Sequence, residues 1–228
     1  MKYFEATHIY KKFPDMTVDL SMAAEKGTFT TILGPSGSGK STALRIIAGL
    51  EKNENNTRIY LNGKKISDLP CSQRNCGMVF QNSALFMNLN VQQNIEYGLI
   101  NRRIKKAERN IMTKTWLEKF GMSGFEKRKC TTLSGGEMQR IALIRTLIVK
   151  PDLILLDEPM SALDAPLRKK LASEIHTLQK KENLTIIMVT HDIEEAKNIS
   201  DNIILIKHGK AAWEGSSTDF SEKLFESC

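Results

Sequence analysis

The chain has 228 residues, with 33 Lys and Arg against 26 Asp and Glu for a formal charge of +7, and 41% hydrophobic and 26% charged residues. That length buries one good core, and the composition is that of a soluble globular protein. There is no run of about 18 apolar residues to span a membrane and no secretion-type apolar stretch over residues 1–13. The net charge alone suits nucleic acid, anionic lipid, nucleotide or a plain solvated lysine-rich face, so it selects no partner. Cys71, Cys76, Cys130 and Cys228 have neither metal-like pairing nor a disulfide-framework spacing, which predicts reduced thiols in a cytosolic protein.

In chain order, Lys2 to Leu33 reads as short strands, the last of them, Thr28–Leu33, running into a glycine-rich loop. A helix is predicted over Thr42–Leu50, a polar surface loop over Glu51–Thr57, and a strand over Arg58–Leu61 ending in an Asn62-Gly63 hairpin turn. From Asn82 to Lys150 β-branched runs give way to helical spacing. Ile104, Ala107, Ile111, Thr115 and Leu117 mark one face of a basic helix, Gly121 and Gly124 interrupt it, and a second helix runs from about Gly135 to Val149 before Pro151. Strands at Leu153–Leu156, Thr185–Thr190 and Ile203–Ile206 then alternate with a helix whose face carries Leu167, Leu171, Ile175 and Leu178. This alternation predicts an α/β fold with a mainly parallel sheet, interrupted by a helical insertion.

Three motifs carry chemistry. Gly34, Pro35, Ser36, Gly37, Ser38, Gly39, Lys40 and Ser41, followed by Thr42, meet the full spacing of a phosphate-binding loop. Its glycines let backbone amides curl around phosphates, Lys40 supplies charge, Ser41 can ligate Mg²⁺, and the following helix directs its positive end at the anion. Asp157 and Glu158 end an apolar strand, where ligands of α/β sheets gather; Asp157 is placed to hold Mg²⁺ and Glu158 to polarise an attacking water. Leu133, Ser134, Gly135, Gly136 and Glu137 have two readings. Ser134 with Glu137 is a capping box that starts a helix, whereas the paired glycines permit close backbone approach to an anion.

Taken together, Leu133 to Arg140 resembles the signature sequence of ATP-binding-cassette (ABC) ATPases, and the resemblance extends over nearly the whole chain. It implies a P-loop core with an N-terminal antiparallel β subdomain and an inserted helical subdomain. On that reading residues 1–228 form a single ABC ATPase domain, with 1–81 and 150–228 as the nucleotide-binding core and 82–149 as the helical subdomain. ATP and Mg²⁺ are the implied ligands. Gln81 resembles the glutamine that senses metal and water, His191 the histidine that contacts the γ-phosphate, and Ser161 to Asp164 the loop that lies across the dimer seam. Phe13 aligns with the aromatic that stacks on adenine, with Tyr10 close enough to compete. The family docks two cassettes head to tail, so Ser134, Gly135 and Gly136 would face the ATP of a second copy.

Leu85 to Val91 with Asn94-Ile95, and Asp164 to Arg168 with Glu174, Ile175, Leu178 and Gln179, resemble importer ATPases for sugars, polyamines, iron, molybdate and thiamine. Met87 and Asn90 replace the usual proline and threonine. The resemblance therefore implies an ATPase that energises a membrane importer from the cytoplasmic face of the membrane. Its partners would be integral permease subunits, received in a groove near Gln81–Tyr97, a second cassette copy and, in the full system, a solute-binding protein. The C-terminal regulatory domain of many relatives is not expected after residue 228. Alternatives are a soluble ABC ATPase acting on nucleic acid or ribosomes, against which stand the short 81–157 interval without sustained heptads and the single cassette, and the ATPase of an exporter. A P-loop phosphotransferase would leave His191 and the signature idle.

Overall fold

A computed structural model describes residues 2–52, 56–161 and 163–226. Cys228, the middle of the predicted 51–57 loop and Ala162 of the 161–164 segment lie outside the described residues. The chain forms two compact units, one of residues 1–78, 152–158 and 169–228, the other of 79–151 and 159–168.

In the first unit, β1 (Phe4–Lys12) pairs antiparallel with β2 (Thr17–Ala24). A bulge between Ala6 and Ile9 lets both of these residues face inward, with His8 at φ 55° taking up the extra residue. β3 (Phe29–Leu33) is buried at every position. Its lack of alternation follows from its place inside a sheet covered on both faces. After the phosphate loop comes α1 (Lys40–Ala48), then β4 (Arg58–Leu61) and β5 (Lys64–Lys65). The turn joining β4 and β5 has positive φ at both Asn62 and Gly63, the conformation that an Asn-Gly hairpin turn requires.

β6 (Cys76–Val79) leads to the second unit's α2 (Val91–Asn101), α3 (Lys106–Lys119) and α4 (Gly135–Leu147). The chain continues through β7 (Leu153–Asp157), α5 (Ala165–Glu182), β8 (Ile186–Thr190), α6 (Ile193–Ile199), β9 (Asn202–Lys207), β10 (Lys210–Ser216) and α7 (Lys223–Glu226). Two sheets result, a four-stranded one ordered β2-β1-β4-β5 and a six-stranded one ordered β10-β9-β3-β8-β7-β6. The first is antiparallel. In the second, β3 runs parallel to β8 and β9, and β7 parallel to β8, with β10 antiparallel at the edge. The expected α/β fold with a mainly parallel sheet and an N-terminal antiparallel sheet is what the chain adopts.

One helical expectation needs correction, and one helix stands beyond those expected. The inward face of α3 carries Thr113, Trp116 and Leu117, followed by Phe120, while Ile111 is 67% exposed and Ala107 and Thr115 face solvent. The aromatic ring at 116 buries more apolar area than the isoleucine at 111, and the helix turns toward it. α2 is not among the helices expected above, although Val91, Ile95 and Leu99 stand four residues apart on one helical face. Its start is nevertheless encoded: the Asn90 side chain accepts from the Gln93 amide, and the Gln93 side chain accepts from the Asn90 amide. β6 and β10 also escape a reading by pattern, one being four residues with a glycine and the other a largely exposed edge.

Arg74 fixes the far end of α1. Buried to 5% exposure, it donates to the carbonyls of Ile46 and Ile47 at 2.8 and 2.9 Å, and to those of Leu69 and Ser67 at 2.9 Å each. Burial pulls its pKa down, yet every bond goes to a carbonyl, two of them at the C-terminus of α1, where the Ile46 oxygen also accepts from the Gly49 amide at 3.1 Å. Gly49, at φ 78°, leaves the space: a Cβ there would lie 2.6 Å from the Arg74 Nε. Arg74→Met removes this cap while keeping apolar bulk. It is expected to cost about 2–4 kcal/mol, since several buried carbonyls lose their donor. Urea unfolding should show a lower midpoint at unchanged slope; an unshifted midpoint would contradict the capping role.

Candidate functional site

The phosphate loop leaves the carboxyl end of β3 and enters α1. Three of its glycines are set by geometry. A Cβ at Gly34 would meet the Ile206 carbonyl oxygen at 2.4 Å, and one at Gly39 (φ 95°) would meet the Val18 Cγ2 at 2.4 Å. A methyl group added at Gly37 would meet nothing within 4 Å, so glycine stands there for its backbone conformation alone, φ 79°. Lys40 is only 4% exposed and donates to the carbonyls of Gly34 and Pro35 at 2.9 and 2.8 Å. Burial lowers its pKa, opposed by the charges of Glu158 and Asp157. A buried ammonium bonded only to neutral carbonyls is incompletely compensated, and an anion entering the loop would complete it.

The β7 terminus supplies the acids. Asp157, 3% exposed, accepts from the Ser41 hydroxyl at 2.6 Å through Oδ1, while its Oδ2 lies 3.7 Å from the Arg45 guanidinium. Arg45 follows Ser41 by one helical turn and therefore shares its face of α1. Glu158 has φ 44°, an uncommon conformation for a residue with a side chain. Its amide is tied to the Val189 carbonyl at 3.1 Å, and its Oε2 lies 3.3 Å from the His191 Nδ1. His191 is half exposed on the turn between β8 and α6. That turn is braced by Asp192, whose side chain caps α6 through the Glu195 amide, and by a Thr190–Glu195 hydrogen bond.

Beside these groups lies a cavity of about 320 Å³. Its walls include Ser36, Lys40, Ser41, Thr42 and Glu158 on the loop side and Phe13 and Met16 on the other. The Phe13 amide bonds the Met16 carbonyl at 2.7 Å, closing the turn that presents both. Tyr10 is not among the lining residues; its ring stacks on His8 with centroids 5.1 Å apart. The cavity thus joins an apolar wall to a cationic, amide-rich floor, the complement of a base joined to phosphates. Ser41 and Asp157 present two hard oxygens side by side, which fits Mg²⁺, a cation that keeps phosphate and water in its shell. Among the described residues no three His, Cys, Asp or Glu side chains form a group that could hold a metal ion.

The remaining sequence-predicted residues belong to the second unit. Gln81 is exposed and donates to the Ser161 hydroxyl at 3.1 Å. Asp164 Oδ1 accepts from the Leu167 amide at 2.9 Å, starting α5. The Ser134–Glu137 capping box forms in both directions, at 3.3 and 2.7 Å. The two glycines beside it differ. A Cβ at Gly136 would strike the Leu167 side chain at 2.5 Å, a local packing reason for glycine, whereas at Gly135 it would meet nothing within 4 Å. Gly135 is exposed at the helix start, so nothing within the unit accounts for its lack of a side chain. Met16, Arg45 and the Thr190–Glu195 brace are site features that sequence reasoning missed; only Arg45 carried a signal, its four-residue spacing from Ser41.

A sheet of this order with such a loop defines a P-loop nucleoside-triphosphate-binding fold. Residues 17–161 match the family described as ABC transporter, and the chain belongs to that family. Among curated proteins it is similar to the Fe(3+) ions import ATP-binding protein FbpC of Brucella abortus, at 42% identity over 217 residues, covering 94% of this chain and 61% of that protein. FbpC of Fusobacterium nucleatum is 42% identical over 93% of this chain and 58% of its own length, and that of Agrobacterium fabrum 43% over 90% and 58%. The chain thus spans about three fifths of the length of these relatives. Among solved structures, the ATP-binding cassette MJ0796, in a dimeric post-hydrolysis state bound to ADP and Pi, superposes with a TM-score of 0.83 at 30% identity, covering 95% of this chain and all of that one.

Proposed function

We propose that this chain is the ATP-hydrolysing subunit of a membrane importer, acting as a pair of cassettes at the cytoplasmic face of the membrane. The observation that carries the reading is a cavity with an apolar wall that Lys40, Ser41 and Glu158 line, with Asp157 bonded to Ser41 and His191 beside Glu158. Phe13 and Met16 pack against the adenine, with Phe13 rather than Tyr10 as the stacking ring. The backbone N–H groups of residues 36–42 and the Lys40 ammonium bond the phosphate oxygens, and the dipole of α1 adds to their field. Ser41 and Asp157, with Gln81 as a further ligand, would hold Mg²⁺, which would supply positive charge to offset that of the phosphates. Glu158 accepts a proton from the attacking water. His191, next to Glu158, donates toward the γ-phosphate and holds the carboxylate in place.

Ser134, Gly135 and Gly136 serve the ATP of the second copy. The bare, exposed Gly135 at the N-terminus of α4 supports that assignment, since a phosphate can approach its amide without meeting a side chain. The dimeric cassette MJ0796 and the import names of the FbpC relatives support dimerisation and import respectively, and the latter make ferric ion the first cargo to test. Among the described residues no helix is long and apolar enough to cross a membrane, so on this reading permease subunits supply the pathway.

Ser134→Arg tests the shared site. It leaves the monomer's own phosphate loop intact, so ATP affinity should stay within about twofold of the parent, while turnover falls about a hundredfold because a bulky cation blocks closure. Retention of parental turnover at saturating ATP would remove Ser134 from the site.

A further inference from the structure

The second unit holds a cavity of about 400 Å³ that none of the residues above uses. Its walls come from the start of α2 (Gln92), from α3 (Asn110, Thr113, Lys114) and from the turn that follows α3 (Glu126, Lys127). No aliphatic or aromatic residue lines it, and every side chain in its walls carries a polar or charged group. The recess is braced: the Gln92 amide donates to the Glu126 carbonyl at 3.0 Å and the Val91 amide to the Arg128 carbonyl at 3.0 Å, pinning the turn against α2.

Hydrogen-bonding capacity remains unspent on several walls. Gln92 Nε2 donates to Asn110 Oδ1 at 2.7 Å and to Glu96 Oε1 at 2.5 Å, which fixes the Asn110 oxygen on Gln92 and leaves its nitrogen to donate elsewhere. Thr113 is 1% exposed, and its hydroxyl has no hydrogen-bond partner, an arrangement that costs free energy unless something binds there. Lys114 and Lys127 make no ion pair among the described residues, and Glu126 is the one carboxylate in the cavity lining. Gly124, at φ 84°, also lines the recess and leaves its backbone uncovered.

We propose that this recess binds a small oxyanion, a phosphate or a compact carboxylate. The Asn110 Nδ2 and the Thr113 hydroxyl bond its oxygens, and Lys114 and Lys127 supply the opposing charge. Glu126 sets an upper limit on the charge accepted, since two ammonium groups and one carboxylate leave a net of one positive charge. The bound anion would tie α3 to the turn that leads into the Ser134 segment. Its role is therefore regulatory and separate from ATP binding.

The test uses the whole chain, isotope-labelled, with its phosphate loop filled by a non-hydrolysable ATP analogue and Mg²⁺ so that the γ-phosphate position is not open to added anion. Inorganic phosphate and acetate are titrated separately while the Asn110 side-chain amide and the Gly124 backbone amide are followed by NMR. Saturable shifts at both positions are expected with at least one of the two, and which one responds separates a phosphoryl from a carboxylate ligand. Lys127→Ala, at an exposed position, and Thr113→Val, which keeps the side-chain shape, should each weaken the affinity about tenfold, the loss of one hydrogen bond to a charged ligand. Shifts that fail to saturate with either anion, or an affinity unchanged in both variants, would overturn the proposal. Failure of the nucleotide to bind would appear instead at the backbone N–H groups of residues 36–42, and would leave this result independent.

Discussion

Glu158→Gln should lower ATP turnover by about a hundredfold or more while leaving ATP affinity nearly unchanged. The size of the effect is that of removing a positioned general base. The geometry explains why this side chain is the one affected. Glu158 follows directly on Asp157, and its positive φ turns it away from the direction a strand continuation would take, toward the cavity that it lines. Glutamine preserves the shape and the contact with His191 but cannot accept a proton. Lys40, Ser41 and the loop amides are untouched, so the nucleotide still binds and the ATP-bound dimer should accumulate. Steady-state turnover with equilibrium binding separates the two effects, and turnover within about threefold of the parent would mean that another group takes the proton.

Lys40 produces the opposite pattern. Lys40→Met should raise the ATP dissociation constant by about a hundredfold or more, because a buried charge facing phosphates is lost from the centre of the site. Without nucleotide, the same variant should be at least as stable as the parent. The ammonium is buried against two carbonyls, and burial holds its pKa below the ordinary lysine value. A lowered lysine pKa means that folding disfavours the charged form. The destabilisation is fully present below the folded pKa and fades as pH rises from there to the unfolded value. The melting-temperature advantage of Lys40→Met should therefore shrink as pH is raised into the alkaline range. Tight ATP binding by the variant, or an advantage that grows with pH, would contradict this account.

Short motifs made much of this architecture legible, and the reasons are local. A phosphate loop must combine a strand end, glycine conformations and a helix start within a few residues, so its spacing announces its geometry. The acids of β7 are similarly readable because a fully buried apolar strand stops at them. Ser134 is readable as a capping box, and the structure forms that box; its service to a second copy is not written in local geometry. What escaped depended on distant packing. The inward face of α3 is set by Trp116, which no periodicity over aliphatic residues weighs correctly. Arg74 looks like any surface arginine until four carbonyls from separate segments converge on it. Met16 joins Phe13 at the cavity only through the turn between β1 and β2.

The central claim, that this chain spends ATP to drive a membrane pathway, is tested most directly by purification of the tagged chain from membranes in mild detergent. The account predicts a stoichiometric complex holding two copies of the chain with a protein of several spanning helices, and ATP turnover that Glu158→Gln abolishes in that complex. A chain that stays free of any spanning protein, or that travels instead with ribosomes or nucleic acid, would contradict it.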